Sequence, residues 1–444
     1  MAAVQRSRLK LLRPPGVVDE KKGSASAAKC KAQPKLTKEE KQAQAKARRV
    51  MMNDIFKEPA AAQQLGHRAA VDSNKVLRVC SDFGGMEGSI LSLKRLQSKG
   101  QIKRIDHLTS SDTCPGCRKW IEKLSPKCKV SDNAITRPLK DVPEHDIYTA
   151  CWPCQPYARG AKGEGANDSK QRGAIAIMSS LKLIKKHKPI VVMSEQSAGI
   201  LQPKHIGLLL RIVRAFREVG YLVFACLVNL RYFVAQRRKR VYLACIKKGH
   251  YNHNTRKFAF PTRKTFVSAA KTWGRVMAKQ AGRKPCLIPK HERNSNFVKQ
   301  AFAKLWAKEK INPMQSLVCV DIECSARFAT TGVDVHPCLT ATRGSQGGCL
   351  VSTTSLKPGL PALSMMQGHS WEKEIKPLKD VTGLSESKVG HMLGNAVTGD
   401  FAEELWCALL TSAGLMEADP SMTQHVHNND EKKKSSEHKL IARL

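Results

Sequence analysis

One cysteine of this chain is fenced by prolines, in Pro153-Cys154-Gln155-Pro156-Tyr157. Proline fixes the backbone on both sides, so the thiol is held at a defined angle instead of swinging. A thiol attacks as thiolate, and the loop from Arg159 to Arg172 brings positive charge that would favour that form. A buried structural cysteine is the ordinary fate of this residue type, and the flanking prolines argue against it here. Further on, Val191-Val192-Met193-Ser194 runs directly into Glu195 and Gln196. A carboxyl at the end of an apolar strand is costly unless paired or put to work, and one put to work there serves as a proton donor. Gln236-Arg237-Arg238-Lys239-Arg240 then leads into another strand. Alternation turns Gln236, Arg238 and Arg240 to one face, so two guanidiniums converge. Taken alone, that run reads equally as basic surface on a basic protein.

A second group suits ligand binding. Asp82-Phe83-Gly84-Gly85-Met86-Glu87-Gly88 follows an apolar strand and precedes a helical pattern. Glycines there let the backbone approach a ligand at the carboxyl end of a sheet, although an ordinary tight turn explains them as well. The next strand ends at Ser111-Asp112, where an acid can grip the two hydroxyls of a ribose. Loop and acid together point to an adenosine-containing cofactor. Asp132 is placed to accept from an adenine amino group, or to cap a turn.

These residues need strands to hold them, and the chain supplies them. From Val76, short apolar or β-branched runs alternate with helix-length segments, the pattern of an α/β domain with a largely parallel sheet. Strands are expected at Val76–Cys80, Ile105–Ser110, Asp146–Ala150, Pro189–Ser194, Tyr221–Val228 and Arg240–Cys245. Helices are expected at Ser89–Leu96, Arg172–Lys186, His205–Val219 and Asp400–Ser412. The third of these carries Leu208, Leu209, Ile212, Val213 and Phe216 along one side.

Charge narrows the partner. The 444 residues hold 76 Lys+Arg against 37 Asp+Glu, a formal charge of +39. Self-repulsion on this scale is normally offset by a polyanion or an anionic membrane surface. The longest apolar run, Tyr221 to Leu230, is only strand-length, which argues against a membrane span. Residues 247–310 concentrate the excess, with 17 Lys/Arg against Glu292 and Glu309, interleaved with Phe266, Trp273, Phe297 and Trp306. A disordered tail would lack those aromatics, so a small folded basic module is expected there. Residues 1–75, with 17 Lys/Arg against 7 acids, read as a disordered basic tail in which Lys35 to Met51 form at most a transient helix. Such an arm suits a nuclear address; the acid-free run Arg6, Arg8, Lys10, Arg13 also suits an organelle transit peptide. The fifteen cysteines form no regular framework and no secretory leader is evident, so a reducing compartment is expected.

In order, these motifs resemble the cytosine-C5 methyltransferases. Phe83, Gly85 and Gly88 match the family's cofactor loop, and Asp112 its ribose acid. Pro153-Cys154-Gln155 matches its catalytic motif, Asp168 and Arg172-Gly173 the end of the mobile loop behind it, and Lys188-Pro189 through Glu195 the motif of its catalytic acid. Gln236, Arg238 and Arg240 match Gln-x-Arg-x-Arg, while Gln367-Gly368 and Gly394-Asn395-Ala396-Val397 resemble the last two motifs. The resemblance runs from about Val76 to Leu410. It implies a Rossmann-like α/β fold that binds S-adenosylmethionine through Phe83, Gly85, Gly88, Asp112, Asp132 and Asn395. Cys154, Glu195, Arg238 and Arg240 would be catalytic, and the expected substrate is cytosine in DNA. Cytosine in RNA, tRNA above all, and a catalytically silent nucleic-acid-binding relative are the alternatives. The expected organisation is a tail at 1–75, a catalytic domain at 76–246 and 338–413, a recognition region at 247–337 and a C-terminal tail at 414–444, acting as a monomer. Four positions depart from the family pattern: Glu87 replaces a glycine, Gln196-Ser197 an Asn-Val pair and Ala158 a common serine.

Cys114-Pro115-Gly116-Cys117 also has a zinc or redox spacing. Pairing it with Cys151 and Cys154 as a metal site would consume the proposed nucleophile, and no metal is expected. For the basic module, affinity for duplex DNA should fall linearly on a log–log salt plot, with a slope of about −0.9 per phosphate contact. Replacing Arg283, Lys284 and Lys290 by alanine should flatten that slope; an unchanged slope would assign the phosphate contacts elsewhere.

Overall fold

The computed structural model describes residues 37–59, 75–158, 173–251, 257–272, 292–312, 315–321, 331–341, 349–352, 356–357, 371 and 383–417. The chain first forms α1 (Lys38–Phe56), opened by a capping box: Thr37 Oγ1 accepts from the Glu40 amide while the Glu40 carboxylate accepts from the Thr37 amide. Next come β1 (Val76–Asp82), α2 (Gly88–Ser98), β2 (Arg104–Ser111), α3 (Pro115–Leu124), β3 (Lys129–Ser131) and β4 (Ile147–Ala150). Then follow α4 (Ala174–His187), β5 (Val191–Ser197), α5 (Pro203–Glu218), β6 (Tyr221–Asn229) and β7 (Lys239–Lys247). After α6 (Glu292–Lys304) come the short β8 (Val318–Asp321), β9 (Thr331–Val333), β10 (Cys349–Ser352) and β11 (Leu356–Lys357). The helices α7 (Glu386–Gly394) and α8 (Gly399–Ser412) close the described chain.

The main sheet has the order β3-β2-β1-β4-β5-β7-β6. Its pairs are parallel except for β7, which enters antiparallel between β5 and β6. Alternate side chains along each strand supply the two faces. Leu77, Val79, Val191 and Met193 join Ile90 and Leu93 of α2 and Leu405, Trp406 and Leu409 of α8 on one side. Cys80, Tyr148 and Val192 join Ile177 and Ile184 of α4 and Ile212 and Phe216 of α5 on the other. Strand order reverses between β1 and β4, so a crevice opens beyond the carboxyl ends of these two strands. Every motif residue on β1, β4 and β5 sits at that edge.

One expectation is corrected. The segment 1–75 is not a disordered tail throughout. Met52 and Ile55 of α1 are buried against α5, Asp54 pairs with Arg214 and Arg217, and Arg48 Nε donates to the Leu201 carbonyl at 3.1 Å. Sparse apolar residues hid this anchor, because two well-placed side chains and an ion pair suffice to dock a helix end. The boundary expected at residue 337 falls within the span of a small second sheet. The antiparallel sheet β11-β10-β8-β9 runs on to Lys357, with Ala301 and Leu305 packed on Val318 and Val320. Trp306 beside it is 58% exposed, outside any core.

Ile55 has no exposed surface. Ile55→Ala should cost about 2–5 kcal/mol of local stability. Hydrogen exchange should show protection lost across residues 38–56 and kept in β4 and β5; equal loss in the strands would make α1 part of the cooperative core.

Candidate active site

Beyond β4 the chain turns sharply. The Cys151 amide donates to the Asp82 carbonyl, buried Trp152 donates from Nε1 to Ser180 Oγ at 3.0 Å, and Cys154 heads a short 3-10 turn, Gln155–Tyr157. Gln196 donates from Nε2 to the carbonyls of Trp152 and Pro153, each at 3.4 Å, and so ties the thiol's loop to the end of β5. The residue that departs from the family pattern thus does a positioning job. Gly199 permits the other close approach: a Cβ there would lie 1.7 Å from the Tyr157 carbonyl oxygen. Burial pushes the half-buried Cys154 thiol above its ordinary pKa, opposed by the Arg240 guanidinium and reinforced by the Glu195 carboxylate.

Glu195 is buried, with Arg240 Nε 2.6 Å from its Oε1. The contact is an ion pair without a well-directed hydrogen bond, and Oε1 has no hydrogen-bond partner among the described residues. On the same face of the sheet, Ser197 Oγ and Tyr242 OH are likewise buried without hydrogen-bond partners among the described residues. Tyr242 pairs with Glu195 across the β5–β7 ladder. Its alternation with Arg240 was visible in the sequence, but the antiparallel pairing that puts it here was not.

Arg238 and Arg240 do converge, on the sulfur of Cys338, at 4.0 and 3.9 Å. Their roles differ. Arg238 is 2% exposed and donates to the carbonyls of Leu339 (3.0 Å), Gly394 (3.3 Å) and Ala396 (2.8 Å). Its Nη1 and Nη2 are given to backbone while Nε has no partner among the described residues, so Arg238 clamps these segments to the site. Gln236 assists, its Oε1 accepting from the Leu339 amide. Cys338 carried no signal in the sequence that would place it here.

The loop after β1 runs through left-handed conformations at Phe83 (φ 57°), Gly85 (φ 56°) and Glu87 (φ 54°). Gly85 is the open position: a Cβ there would meet nothing within 4 Å, so a ligand can lie against it. Its amide donates to Asp112 Oδ2 at 2.9 Å, and the Cys114 amide donates to Oδ1 at 2.8 Å. Each oxygen keeps a lone pair for a ribose hydroxyl. Asp132 borders a cavity of about 230 Å³ that also touches Ser131, Asn133, Thr136 and Arg137. These features fit an adenosine-containing cofactor. Gly88 serves packing instead, since a Cβ there would come within 3.1 Å of Val397 and 3.2 Å of Trp371. Asn395 caps the exposed end of α7 beside the carbonyls that Arg238 holds. Asp168, Arg172, Gln367, Gly368, Trp273, Arg283, Lys284 and Lys290 lie outside the described residues.

Glu87 folds its carboxyl inward, beneath Gly84. Ser81 Oγ and Ser110 Oγ both donate to its Oε1, while Oε2 has no partner among the described residues. His107 Nε2 meets Ser81 Oγ at 2.9 Å and its Nδ1 meets Ser125 Oγ at 3.1 Å. Burial holds His107 neutral, its pKa down at about 3. Burial likewise pushes Glu87 up to about 7, helped by the nearby carboxylates of Asp112 and Asp82. Asp82, also raised by burial, is paired with Arg137 at 2.9 Å and accepts from Tyr148 and Ser111.

The model of the C-5 cytosine-specific DNA methylase family matches residues 77–323. That is more than half of the chain, and the chain belongs to this family. Among similar curated proteins, the Type II methyltransferase M.HhaI of Haemophilus parahaemolyticus is 29% identical over 123 residues, 28% of this chain and 36% of that protein. M.MthTI of Methanothermobacter thermautotrophicus is 28% identical over 155 residues, 34% of this chain and 44% of that protein. The chain thus spans between about a third and a half of the length of these two relatives. Similar solved structures include the methyltransferase EhMeth of Entamoeba histolytica, with TM-score 0.49 and 14% identity over 76% of this chain and 98% of that one. The S. pombe Dnmt2 methyltransferase has TM-score 0.43 and 13% identity over the same shares.

Glu87 binds its proton more tightly in the folded chain, at about 7 against an ordinary 4.5, so its contribution to stability is present below pH 4.5 and lost as pH rises through 7. Relative to Glu87→Gln, wild type should lose up to about 3 kcal/mol between pH 4.5 and 8 in urea unfolding. Parallel pH profiles would remove Glu87 as the titrating group.

Proposed function

We propose that this chain transfers the methyl group of S-adenosylmethionine to carbon 5 of cytosine in DNA, through a covalent adduct of Cys154. The carrying observation is the gathering of Cys154, Glu195 and Arg240 at one sheet edge, across the β1–β4 crevice from the open Gly85 and Asp112. Family membership supports the reaction class, and DNA is the substrate its description names.

Cytosine carbon 5 is a weak nucleophile, and adding a thiolate at carbon 6 pushes electron density onto it. Burial raises the pKa of the Cys154 thiol while Arg240 opposes that effect, so Arg240 is the group that offsets the charge of the attacking thiolate. Glu195 shares a proton with ring N3 as negative charge develops, and Arg240 orients that carboxyl while its guanidinium faces O2. S-adenosylmethionine, when bound, supplies an electrophilic methyl group. Loss of the proton from carbon 5 then expels the Cys154 thiolate. Arg238 keeps the 339 and 394–396 backbone against the site, a positioning role. The base must leave the duplex to reach Cys154, at a cost of about a few kcal/mol that pocket contacts offset. The basic residues of 247–310 grip phosphates, and exposed Trp306 is free to stack on an unpaired base. The nucleus is the proposed compartment, where such a substrate lies.

Labelled methyl transfer, run side by side on unmethylated DNA, hemimethylated DNA and tRNA, tests the proposal. Label in DNA is expected; label in tRNA alone would move the substrate to RNA, and none in any would leave a silent binder. Cys154→Ser should lower turnover at least 1,000-fold, on the order of 4 kcal/mol in the barrier, with DNA affinity within about twofold of wild type. DNA carrying 5-fluorocytosine should trap wild type as an adduct stable to denaturation. Full activity in the serine variant would sink the nucleophile assignment.

A further inference from the structure

The mechanism leaves one chemically prepared pair unused, Cys114 and Cys117. Cys114 is the N-cap of α3 with Pro115 at the first helical position, and Cys117 lies one turn on, 4% exposed. Residues at this spacing share a helix face, so the two thiols are neighbours at the start of α3. The half-buried Cys114 is open to a small reagent, while Cys117 stands behind it. Among the described residues no group of three or more His, Cys, Asp or Glu could hold a metal ion.

Its surroundings separate Cys114 from the other thiols. The neighbouring Cys117 side chain lowers its pKa to about 5 against the opposing effect of burial, aided by the amides of Cys117 and Gly116 at the helix start and by His391 of α7. Burial instead pushes up Cys80, Cys128, Cys151, Cys154, Cys245 and Cys319. A thiolate at a helix N-terminus, with a second thiol one turn behind it, is the arrangement that exchanges with disulfides. The pair is also tied to the cofactor edge. The Cys114 amide holds Asp112 Oδ1 at 2.8 Å, and Arg118 Nη1 donates to the carbonyls of Asp112 and Thr113, each at 3.0 Å.

We propose that Cys114 and Cys117 form a thiol–disulfide couple that sets how firmly Asp112 holds the cofactor; this rests on the reading of Asp112 as the ribose acid. The oxidant class is a small-molecule disulfide such as glutathione disulfide. The Cys114 thiolate attacks one of its sulfurs, that S–S bond breaks, and one glutathione thiolate leaves. The Cys117 thiol gives its proton to the departing thiolate and attacks the Cys114 sulfur, expelling the second glutathione. The dithiol loses two electrons and two protons, and the oxidant becomes two glutathiones. Drawing the Cys114 sulfur onto Cys117 shifts the N-cap residue, moves its amide off Oδ1 and lets the carboxylate turn from the ribose.

The full-length protein tests this. At pH 6, iodoacetamide should alkylate Cys114 at least tenfold faster than Cys154, followed by peptide mass mapping. Glutathione disulfide should yield a 114–117 disulfide in wild type and a mixed disulfide at Cys114 in Cys117→Ser. Calorimetry should show the oxidised protein binding S-adenosylmethionine roughly tenfold more weakly, the loss of one hydrogen bond to a charged group, with full recovery on reduction. Absence of that disulfide, or its formation with unchanged affinity while Asp112→Ala weakens binding, would overturn the couple as a control on the cofactor. Unchanged affinity in reduced Asp112→Ala would overturn the ribose assignment itself, whatever the disulfide mapping shows.

Discussion

The catalytic edge depends on an arginine taken out of water. Arg238 is buried with no carboxylate partner among the described residues, held instead by backbone carbonyls from two distant segments. Hydrogen bonds to a charged group are worth about 1.5–3 kcal/mol each, and three of them offset the cost of desolvation. The consequence is architectural. These bonds seam the end of β7 to Leu339 and to the turn after α7, bringing the chain's return onto the sheet where Arg240 and Glu195 stand. Gly394 is the enabling residue, because a Cβ there would lie 2.2 Å from the Thr340 carbonyl. Cys338, between the two guanidiniums, is brought in by the same seam.

Around this seam, charge is buried in pairs with unequal satisfaction. Asp82 is fully engaged by Arg137, Tyr148 and Ser111, and Asp146 takes both Lys75 and Arg78. These are scaffold pairs that fix the strand ends. Glu195 and Glu87 differ, since each keeps a buried oxygen without a hydrogen-bond partner among the described residues. At Glu195 that atom lies beside the Arg240 guanidinium. At Glu87 it lies inside a loop already held in left-handed backbone, a conformation that costs an L-residue about 1–2 kcal/mol. The two serines that donate to Glu87 help to hold the loop there.

Local pattern determined much of this protein. Strand periodicity marked the six longer main-sheet strands to within a few residues, and the glycines, prolines and acids that follow them marked the edge where Cys154, Glu195 and Asp112 stand. Motif order was enough to indicate the family. Arg238, just ahead of β7, and Arg240, inside it, do meet at one sulfur, as their spacing of two residues suggested.

What only the tertiary structure decided are the partners. Arg238 meets carbonyls 101 and 158 residues away, so nothing in its own strand distinguishes a backbone clamp from a base-binding cation. The antiparallel entry of β7, which puts Tyr242 opposite Glu195, the docking of α1 through two apolar side chains, and the continuation of the small sheet to Lys357 are likewise long-range pairings. Sequence periodicity reports which face a residue turns inward. Whether a buried charge meets substrate, carbonyl or counter-ion is set by what the rest of the chain brings to that face, and burial makes that choice energetically decisive.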